Sequence, residues 1–253
     1  RFRIVRIQCG GKKYIRKELL WAHLDEFIDK TVKFIRQEGE IPDLFHGHYP
    51  DAGYIASELA GFFGSPLVYT GHSLGRSKKR RLLEQGMRED EMNRRLRIDY
   101  RIQMEERILK AADMVVTSTN QEIGGQYGCY KNRTIPKYEV IPPGIDIERF
   151  YPYYHMDFET DGKKEENLFY KASITEELEI FLQHMDRPLI LSLCRPDKRK
   201  NIQGLIQAFG EDPELRAMAN LAIYAGIRKD IAEKEENERD VLTQMLLLMD
   251  KYN

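Results

Sequence analysis

Residues 44–70 of the chain have the sequence LFHGHYPDAGYIASELAGFFGSPLVYT. Short apolar runs at both ends of this segment have the length and the turn-forming neighbours of β-strands. Between them, Ile55, Leu59 and Phe62 recur at the spacing of one helix face. The order predicts a β-α-β unit with a strand over 44–49, a helix over 52–63 and a strand over 66–69.

The same alternation continues through the rest of the chain. Apolar positions from Leu24 to Ile35 predict an amphipathic helix that ends at Gly39. One long helical stretch is expected to follow residue 81 and to end near Ala112. Alternating strands and helices in both halves predict an α/β fold of two Rossmann-like domains with parallel sheets. Further strands are expected over 114–117, 138–141, 189–193 and 221–225.

Composition excludes several classes of protein. The 253 residues are 42% hydrophobic, and 40 Lys and Arg nearly balance 41 Asp and Glu, so bulk charge favours neither nucleic acid nor an anionic membrane as a partner. No apolar run approaches the roughly 20 residues that cross a bilayer. Three cysteines, Cys9, Cys129 and Cys194, are too far apart in sequence to indicate a disulfide framework or a zinc site. We therefore expect a cytoplasmic location, and the missing initiator Met suggests a segment of a longer protein.

A cation-rich segment follows the second predicted strand. Five of the six residues from Arg76 to Arg81 are Lys or Arg, and His72 lies just before them. We expect residues 71–81 to form a loop at a strand end, where such a density of cations suits a phosphate. A solvated helix start is the alternative, and on charge alone it is the more common outcome.

A second cation-rich segment runs from Arg195 to Lys200 and is followed by Asn201, which is expected to cap a helix. Backbone amides, the helix dipole and side-chain cations at that point suit a diphosphate, although an exposed charged loop explains them equally well. His46 and His48 are two residues apart and would share one face of a strand. They lack an identifiable third metal ligand, so a hydrogen-bonded pair is favoured over a metal site.

At these positions the chain resembles the sucrose-phosphate synthases, which are retaining glycosyltransferases of the two-domain GT-B type. The resemblance covers nearly the whole chain and is weakest from 151 to 186. The string from Gly71 to Gly75 is fairly specific, whereas the pattern at 195–201 is shared by many related glycosyltransferases. The matching stretches are 3–7, 9–10, 17–21, 46–53, 70–76, 117–123, 140–146, 195–201, 219–221 and 226–231.

The resemblance implies a division into three parts. Residues 1–150 would form an acceptor domain that lacks its first strand and its glycine-rich loop, residues 151–186 a linker, and residues 187–253 the start of a donor domain. Both GT-B domains would thus be incomplete, because further substrate-binding segments would lie before Arg1 and after Asn253. The segment alone is therefore expected to be inactive.

The resemblance also implies a reaction: glucose passes from UDP-glucose to fructose 6-phosphate, giving sucrose 6-phosphate and UDP with retained configuration. Lys17, Lys78 and Arg101 would bind the acceptor. His72, Arg195 and Lys200 would bind the donor and act in catalysis, His72 at the donor sugar and the two cations at the diphosphate. UDP-glucose would be a co-substrate without a tightly bound cofactor, Mg²⁺ would be optional, and a sucrose-phosphate phosphatase would be a candidate partner.

Two alternatives remain open at this point. A related synthase could use another donor or acceptor, as sucrose synthase uses unphosphorylated fructose. A non-catalytic homologue could bind a sugar phosphate as a signal. The cation-rich segment favours a phosphorylated acceptor, because neutral fructose would leave Lys78 and its neighbours without an anionic partner.

Overall fold

The computed structural model describes residues 3–12, 15–147, 150, 172–182, 184–226 and 230–252. The chain divides into two compact units, Arg1–Phe150 and Tyr151–Asn253. Most of the predicted linker lies outside the described residues, and residues 172–179 at its end are helical.

Helices and parallel strands alternate in the first unit. Its strands are β1 (Phe45–His48), β2 (Leu67–Thr70), β3 (Met114–Thr117) and β4 (Lys137–Val140). Its helices are α1 (Lys17–Leu20), α2 (Leu24–Glu38), α3 (Tyr49–Phe63), α4 (Gly75–Glu84), α5 (Glu89–Leu96), α6 (Ile98–Ala111) and α7 (Asn120–Gly125).

The four strands form one parallel sheet in the order β1-β2-β3-β4, with His48 paired to Thr70 and Tyr69 to Val115. Each strand lies next to the strand that precedes it in the sequence. Right-handed crossovers therefore place the connecting helices on one face of the sheet. Helices α3 and α6 pack against each other accordingly. The parallel α/β fold predicted from the sequence is confirmed.

The core of this unit lies between the sheet and those helices. At Gly47 the strand approaches α3 so closely that a Cβ would lie 2.6 Å from the Gly53 Cα. Since side chains alternate along a strand, His46 and His48 point to the opposite face and are exposed. The buried cluster consists of Ala56, Ala60, Leu67, Tyr69, Leu74, Ile108, Leu109, Ala112, Val115, Tyr127 and Tyr130.

Two expectations about residues 71–111 are wrong. The loop after β2 ends at Leu74, because α4 begins at Gly75 and includes the cation-rich segment. The long helix expected after it is interrupted twice: Gly86 has φ 84° and follows α4, and Arg97 has φ 48° and separates α5 from α6. Residues in the left-handed region cannot continue a right-handed helix, and Gly86 is a residue that adopts this region readily.

The second unit contains a parallel strand pair, β5 (Leu189–Leu193) and β6 (Asn220–Tyr224). Its helices are α8 (172–179), α9 (Ile202–Glu211), α10 (Pro213–Met218) and α11 (Glu236–Tyr252). Its buried cluster is formed by Ile202, Ile206, Ala225, Val241, Leu242 and Met245. Nowhere in the described parts of either unit does a helix combine the length and apolarity that a bilayer requires.

Candidate functional site

The loop that joins β2 to α4 is held by a buried contact. Gly71 donates its N–H to the Tyr127 hydroxyl oxygen at 3.0 Å, and a Cβ on Gly71 would lie 2.6 Å from that oxygen. The next residue, His72, has φ 57°, in a region that L-residues rarely adopt. A contact that only glycine permits and an unusual backbone angle therefore fix the point from which the His72 side chain projects.

Glu105 of α6 is completely buried beneath the start of α4. Its carboxylate oxygens accept the Gly75 N–H at 3.1 and 2.9 Å, the Arg101 Nε–H at 2.9 Å and the Tyr130 hydroxyl. Burial raises the pKa of Glu105 above its ordinary value, while Arg101 and the Tyr130 hydroxyl oppose the rise. Because each of these hydrogen-bond partners is a donor, the network favours the ionised form of the Glu105 carboxylate.

Arg101 connects this carboxylate to two other elements. Its Nη1 donates to the Tyr49 hydroxyl oxygen at 2.7 Å, and its Nη2 donates to the carbonyl oxygen of Ser73. Burial disfavours its charge, but the attraction of Glu105 and the hydrogen bond to it hold the pKa of Arg101 above its ordinary value. Three of the five guanidinium N–H groups are thus engaged within the protein, which leaves two for a ligand.

A small cavity in the first unit lies beside this network. Lys17 of α1, Lys78 of α4 and Arg101 of α6 all line it. The structure therefore brings together the three residues that the resemblance assigned to the acceptor, although they come from three separate helices. The other lining residues are Glu18, Trp21, Tyr49, Asp51, Leu96 and Ile98.

The two lysines of this cavity carry unpaired charges. Within the part of the chain that the structure describes, neither the Lys17 nor the Lys78 ammonium forms an ion pair or a hydrogen bond. Burial lowers the pKa of Lys78, and the nearby charges of Lys17 and Arg101 lower it further. An anion that entered the cavity would relieve this repulsion.

Asp51 adds a carboxylate to the same cavity from the first turn of α3. Burial raises its pKa, whereas the charges of Arg101 and Lys17 lower it. The Asp51 side chain has no hydrogen-bond partner among the described residues. It therefore offers oxygen atoms that can accept from hydroxyl groups of a bound molecule.

Two of the other cations of α4 pair with carboxylates. Arg76 Nη2 lies 2.9 Å from Glu106 Oε1, and Lys79 Nζ lies 3.0 Å from Asp99 Oδ1. The segment lies in the first turns of α4, so the helix start of the alternative interpretation is observed. Lys78 differs from the other cations of α4 because it lines the cavity, and it has no ion-pair partner among the described residues.

His46 and His48 are both hydrogen-bonded, but to other residues and not to each other. His46 Nε2 lies 2.8 Å from Thr70 Oγ1, and His48 Nδ1 lies 2.9 Å from His72 Nε2. The rings of His46 and His48 lie 4.2 Å apart. No group of three or more potential ligands in the described residues is placed to hold a metal ion.

The cation-rich segment of the second unit forms a tight turn after β5. Asp197 accepts the backbone N–H of Arg199 at 2.9 Å and pairs with its guanidinium. These hydrogen bonds from Arg199 hold the pKa of Asp197 far below its ordinary value. Lys198 pairs with Asp240 at 3.1 Å. Arg195 and Lys200, the two cations assigned to the donor, are exposed and unpaired within the described ranges.

The expected cap by Asn201 is only partly right. Asn201 directly precedes α9, but its side chain accepts no capping hydrogen bond. Its φ of 51° ends the short 3₁₀ turn Lys198–Lys200. The side-chain amide lies against Gly204 in the first turn of α9, where a Cβ would be 2.6 Å from Asn201 Nδ2.

Sequence reasoning missed the residues that support the cavity. The spacing of Arg101 and Glu105 by four residues on a helix was a usable signal, because such positions are neighbours on one face. The sequence around Tyr49, Tyr127 and Tyr130 gives no indication that these residues support the cavity. Their hydroxyls contact residues that are 25 to 56 positions away in sequence.

Comparisons with known proteins give consistent matches. The family described as Glycosyltransferase Family 4 matches residues 4–149. The chain is 37% identical to a probable sucrose-phosphate synthase 2 of Arabidopsis thaliana and 38% identical to a sucrose-phosphate synthase of Zea mays, in each case over 99% of this chain. It spans 27% of the length of each of these relatives.

A solved structure shows the same fold. The sucrose-phosphate synthase from Thermosynechococcus elongatus aligns with 98% of this chain and 52% of its own length, at a TM-score of 0.66 and 24% identity. At that identity the match supports the architecture of the chain.

Proposed function

Because the chain belongs to glycosyltransferase family 4 and is homologous to sucrose-phosphate synthases, we propose that the protein containing it transfers glucose from UDP-glucose to fructose 6-phosphate. The predicted family resemblance is confirmed by these matches. In the proposed reaction the bond from glucose C1 to the UDP oxygen breaks and a bond from C1 to the acceptor oxygen forms with retained configuration. The acceptor proton leaves with UDP, and the sugar product is sucrose 6-phosphate.

The observation that carries the proposal is the pair of unpaired lysines in the first unit. Lys17 and Lys78 line one cavity with Arg101, and the pKa of Lys78 is lowered by burial and by these cations. A phosphate that bound there would give the two ammonium groups a direct ion-pair partner and accept several charge-assisted hydrogen bonds. A neutral sugar could not do so, which supports a phosphorylated acceptor.

The remainder of the cavity suits a sugar. The unpartnered Asp51 carboxylate can accept hydrogen bonds from sugar hydroxyls, and the Trp21 and Tyr49 side chains supply apolar surface beside it. Cations for a phosphate and a carboxylate for hydroxyls therefore line the same small space. We assign Lys17, Lys78 and Arg101 to the acceptor on this basis.

For the donor we propose Arg195 and Lys200 as ligands of the UDP diphosphate, with His72 at the donor sugar. The support in the second unit is that Arg195 and Lys200 are unpaired within the described residues, whereas Lys198 and Arg199 are neutralised. Fixed cations at a departing diphosphate lower the barrier without a proton donor, and one such group is worth about 3 kcal/mol in a water-excluded site.

The other expectations of the sequence analysis stay predictions. They are the absence of a tightly bound cofactor, an optional Mg²⁺, a cytoplasmic location and association with a sucrose-phosphate phosphatase.

The experiment that tests the proposal is an assay of UDP release by the full-length protein that contains this chain. UDP-glucose is supplied with either fructose 6-phosphate or fructose at equal concentration. We expect release to be about 10- to 100-fold faster with fructose 6-phosphate, since hydrogen bonds to charged groups contribute about 1.5–3 kcal/mol. Equal rates would indicate an unphosphorylated acceptor. Binding of fructose 6-phosphate without UDP release would indicate a non-catalytic homologue.

A further inference from the structure

His48 and His72 meet where β1 and β2 end. The parallel register pairs His48 with Thr70, so the loop after β2 starts beside the end of β1. His48 Nδ1 lies 2.9 Å from His72 Nε2, and the two ring planes are within 22° of parallel with centroids 5.2 Å apart. One imidazole must donate and the other must accept, so this contact couples the tautomers of the two rings.

The intrinsic tautomer preference of histidine indicates which ring donates the hydrogen bond. A free histidine side chain is more stable with its proton on Nε2. If both rings take that form, His72 donates its Nε2–H to the lone pair on His48 Nδ1, and neither ring adopts the less stable tautomer. His72 Nδ1 then carries an unshared lone pair and has no partner among the described residues.

A helix cap does not explain the position of the His48 ring. His48 is the residue that precedes α3, yet its side chain does not cap the helix. Its ring is exposed on the sheet face opposite the core. Among the described residues, the hydrogen bond to His72 is the only one that the His48 ring makes.

His46 supports His48 from the other side. Its ring contacts His48 with centroids 4.2 Å apart and planes tilted by 32°, and its Nε2 forms a hydrogen bond with Thr70 Oγ1. Burial lowers the pKa of His46, and the neighbouring His48 and His72 lower it further. The uncharged form of His46 is therefore favoured next to the pair.

We propose that His48 is a positioning residue that holds His72 in the Nε2–H tautomer, so that the Nδ1 lone pair of His72 faces outward as a hydrogen-bond acceptor. The consequence for catalysis rests on the proposed function, in which His72 lies at the donor sugar. A His72 Nδ1 lone pair can accept from a sugar hydroxyl, whereas the other tautomer would present an N–H there. His48 thus sets the kind of group that His72 offers to the donor.

The tautomer is tested in the chain by long-range ¹H–¹⁵N NMR of its histidine rings, with His46→Leu and His48→Leu as matched variants. We expect His72 to show the Nε2–H pattern in the wild type and in His46→Leu, and a mixture of tautomers in His48→Leu. An Nδ1–H pattern in the wild type would overturn the proposal. So would a single tautomer that survives His48→Leu in a folded variant, as judged by circular dichroism.

The catalytic consequence is tested by steady-state kinetics of the full-length protein. We expect His48→Leu to lower kcat about 10- to 100-fold, which is typical for the loss of an orienting partner, with the KM for fructose 6-phosphate within about twofold. His48→Asn should restore much of kcat, because its amide oxygen can accept near the position of Nδ1. Equal losses in the leucine and asparagine variants would contradict the positioning role. A wild-type protein that makes no sucrose 6-phosphate would refute the proposed function and leave the NMR result to decide the hydrogen bond.

Discussion

The two cation-rich segments, 76–81 in the first unit and 195–200 in the second, are similar in sequence but differ in their surroundings. In the first, Lys78 lines a cavity that lies next to the buried hydrogen-bond network of Arg101 and Glu105. In the second, Arg195 and Lys200 are exposed on a turn that Asp197 organises. In each segment, two of the other cations pair with carboxylates: Arg76 and Lys79 in the first, and Lys198 and Arg199 in the second.

This difference shows that charge density is a poor guide to a binding site. A cation that already has a carboxylate partner contributes little to a ligand, because the ligand must compete with that partner. An unpaired cation is available, and burial makes its interaction with an anion stronger. We therefore expect the first segment to depend on its supporting network, and the second to tolerate substitution without loss of stability.

The largest expected effect is on stability, from Arg101→Met. This substitution leaves the carboxylate of Glu105 buried, where Arg101 is 8% and Glu105 0% exposed. An uncompensated buried charge costs about 3–5 kcal/mol, so the free energy of unfolding should fall by that amount. Urea titration followed by circular dichroism measures it.

Arg107→Met is the matched control on the same helix. Arg107 pairs with Glu58 at 2.6 Å, but the two side chains are 53% and 33% exposed. Exposed pairs contribute about 0.2–1 kcal/mol. Similar losses for the Arg101 and Arg107 variants would contradict the structural role of the buried network.

A smaller effect is expected in the second segment, on ligand binding alone. Arg195→Ala in the full-length protein should weaken UDP binding about 10- to 100-fold, because one charge-assisted hydrogen bond is lost. The free energy of unfolding should change by no more than about 0.5 kcal/mol. Calorimetry with UDP measures the first quantity.

Arg199→Ala is the control for this segment, because the Arg199 guanidinium is held by Asp197. We expect UDP binding by this variant to stay within about twofold of wild type. Unchanged UDP binding by Arg195→Ala would remove Arg195 from the donor site.

The smallest effect concerns the pH dependence of stability. Burial lowers the pKa of Lys78 in the folded chain, so the unfolded chain binds the proton more tightly. Stability then rises with pH through the alkaline range, up to the ordinary lysine pKa of about 10.4. Lys78→Met should be more stable than wild type near pH 7 without ligand, and this excess should shrink as the pH approaches 10. Urea titrations at several pH values measure the difference, and an excess that grows with pH would contradict the burial of Lys78.

The fold was predictable because apolar periodicity is a local property. The strand over 189–193 and the helix that ends before Gly39 were placed correctly. The prediction of a single helix up to Ala112 was wrong, because the left-handed backbone conformation of Arg97 depends on residues that contact it in the fold. There, Asn93 accepts the Asp99 N–H at 3.0 Å and donates to its carboxylate at 2.6 Å, which fixes the start of α6.

The candidate site was predictable only in part. Family resemblance named Lys17, Lys78 and Arg101, and their roles as ligands stay predictions although the structure places them around one cavity. Sequence could not distinguish Lys78 from Lys79, because the difference depends on Asp99, which lies 20 residues away. The contact between His48 and His72 arises in the same way, from two strand ends that the sheet brings together.

The most direct measurement is calorimetric titration of fructose 6-phosphate into the full-length protein and its Lys78→Ala and Lys79→Ala variants. These adjacent lysines share a helix, but Lys78 lines the cavity and Lys79 pairs with Asp99. We predict that Lys78→Ala weakens fructose 6-phosphate binding about 10- to 100-fold and leaves UDP binding unchanged, while Lys79→Ala stays within about twofold of wild type. Equal effects of the two variants, or an equal loss of fructose 6-phosphate and UDP binding in Lys78→Ala, would contradict a phosphate site in this cavity.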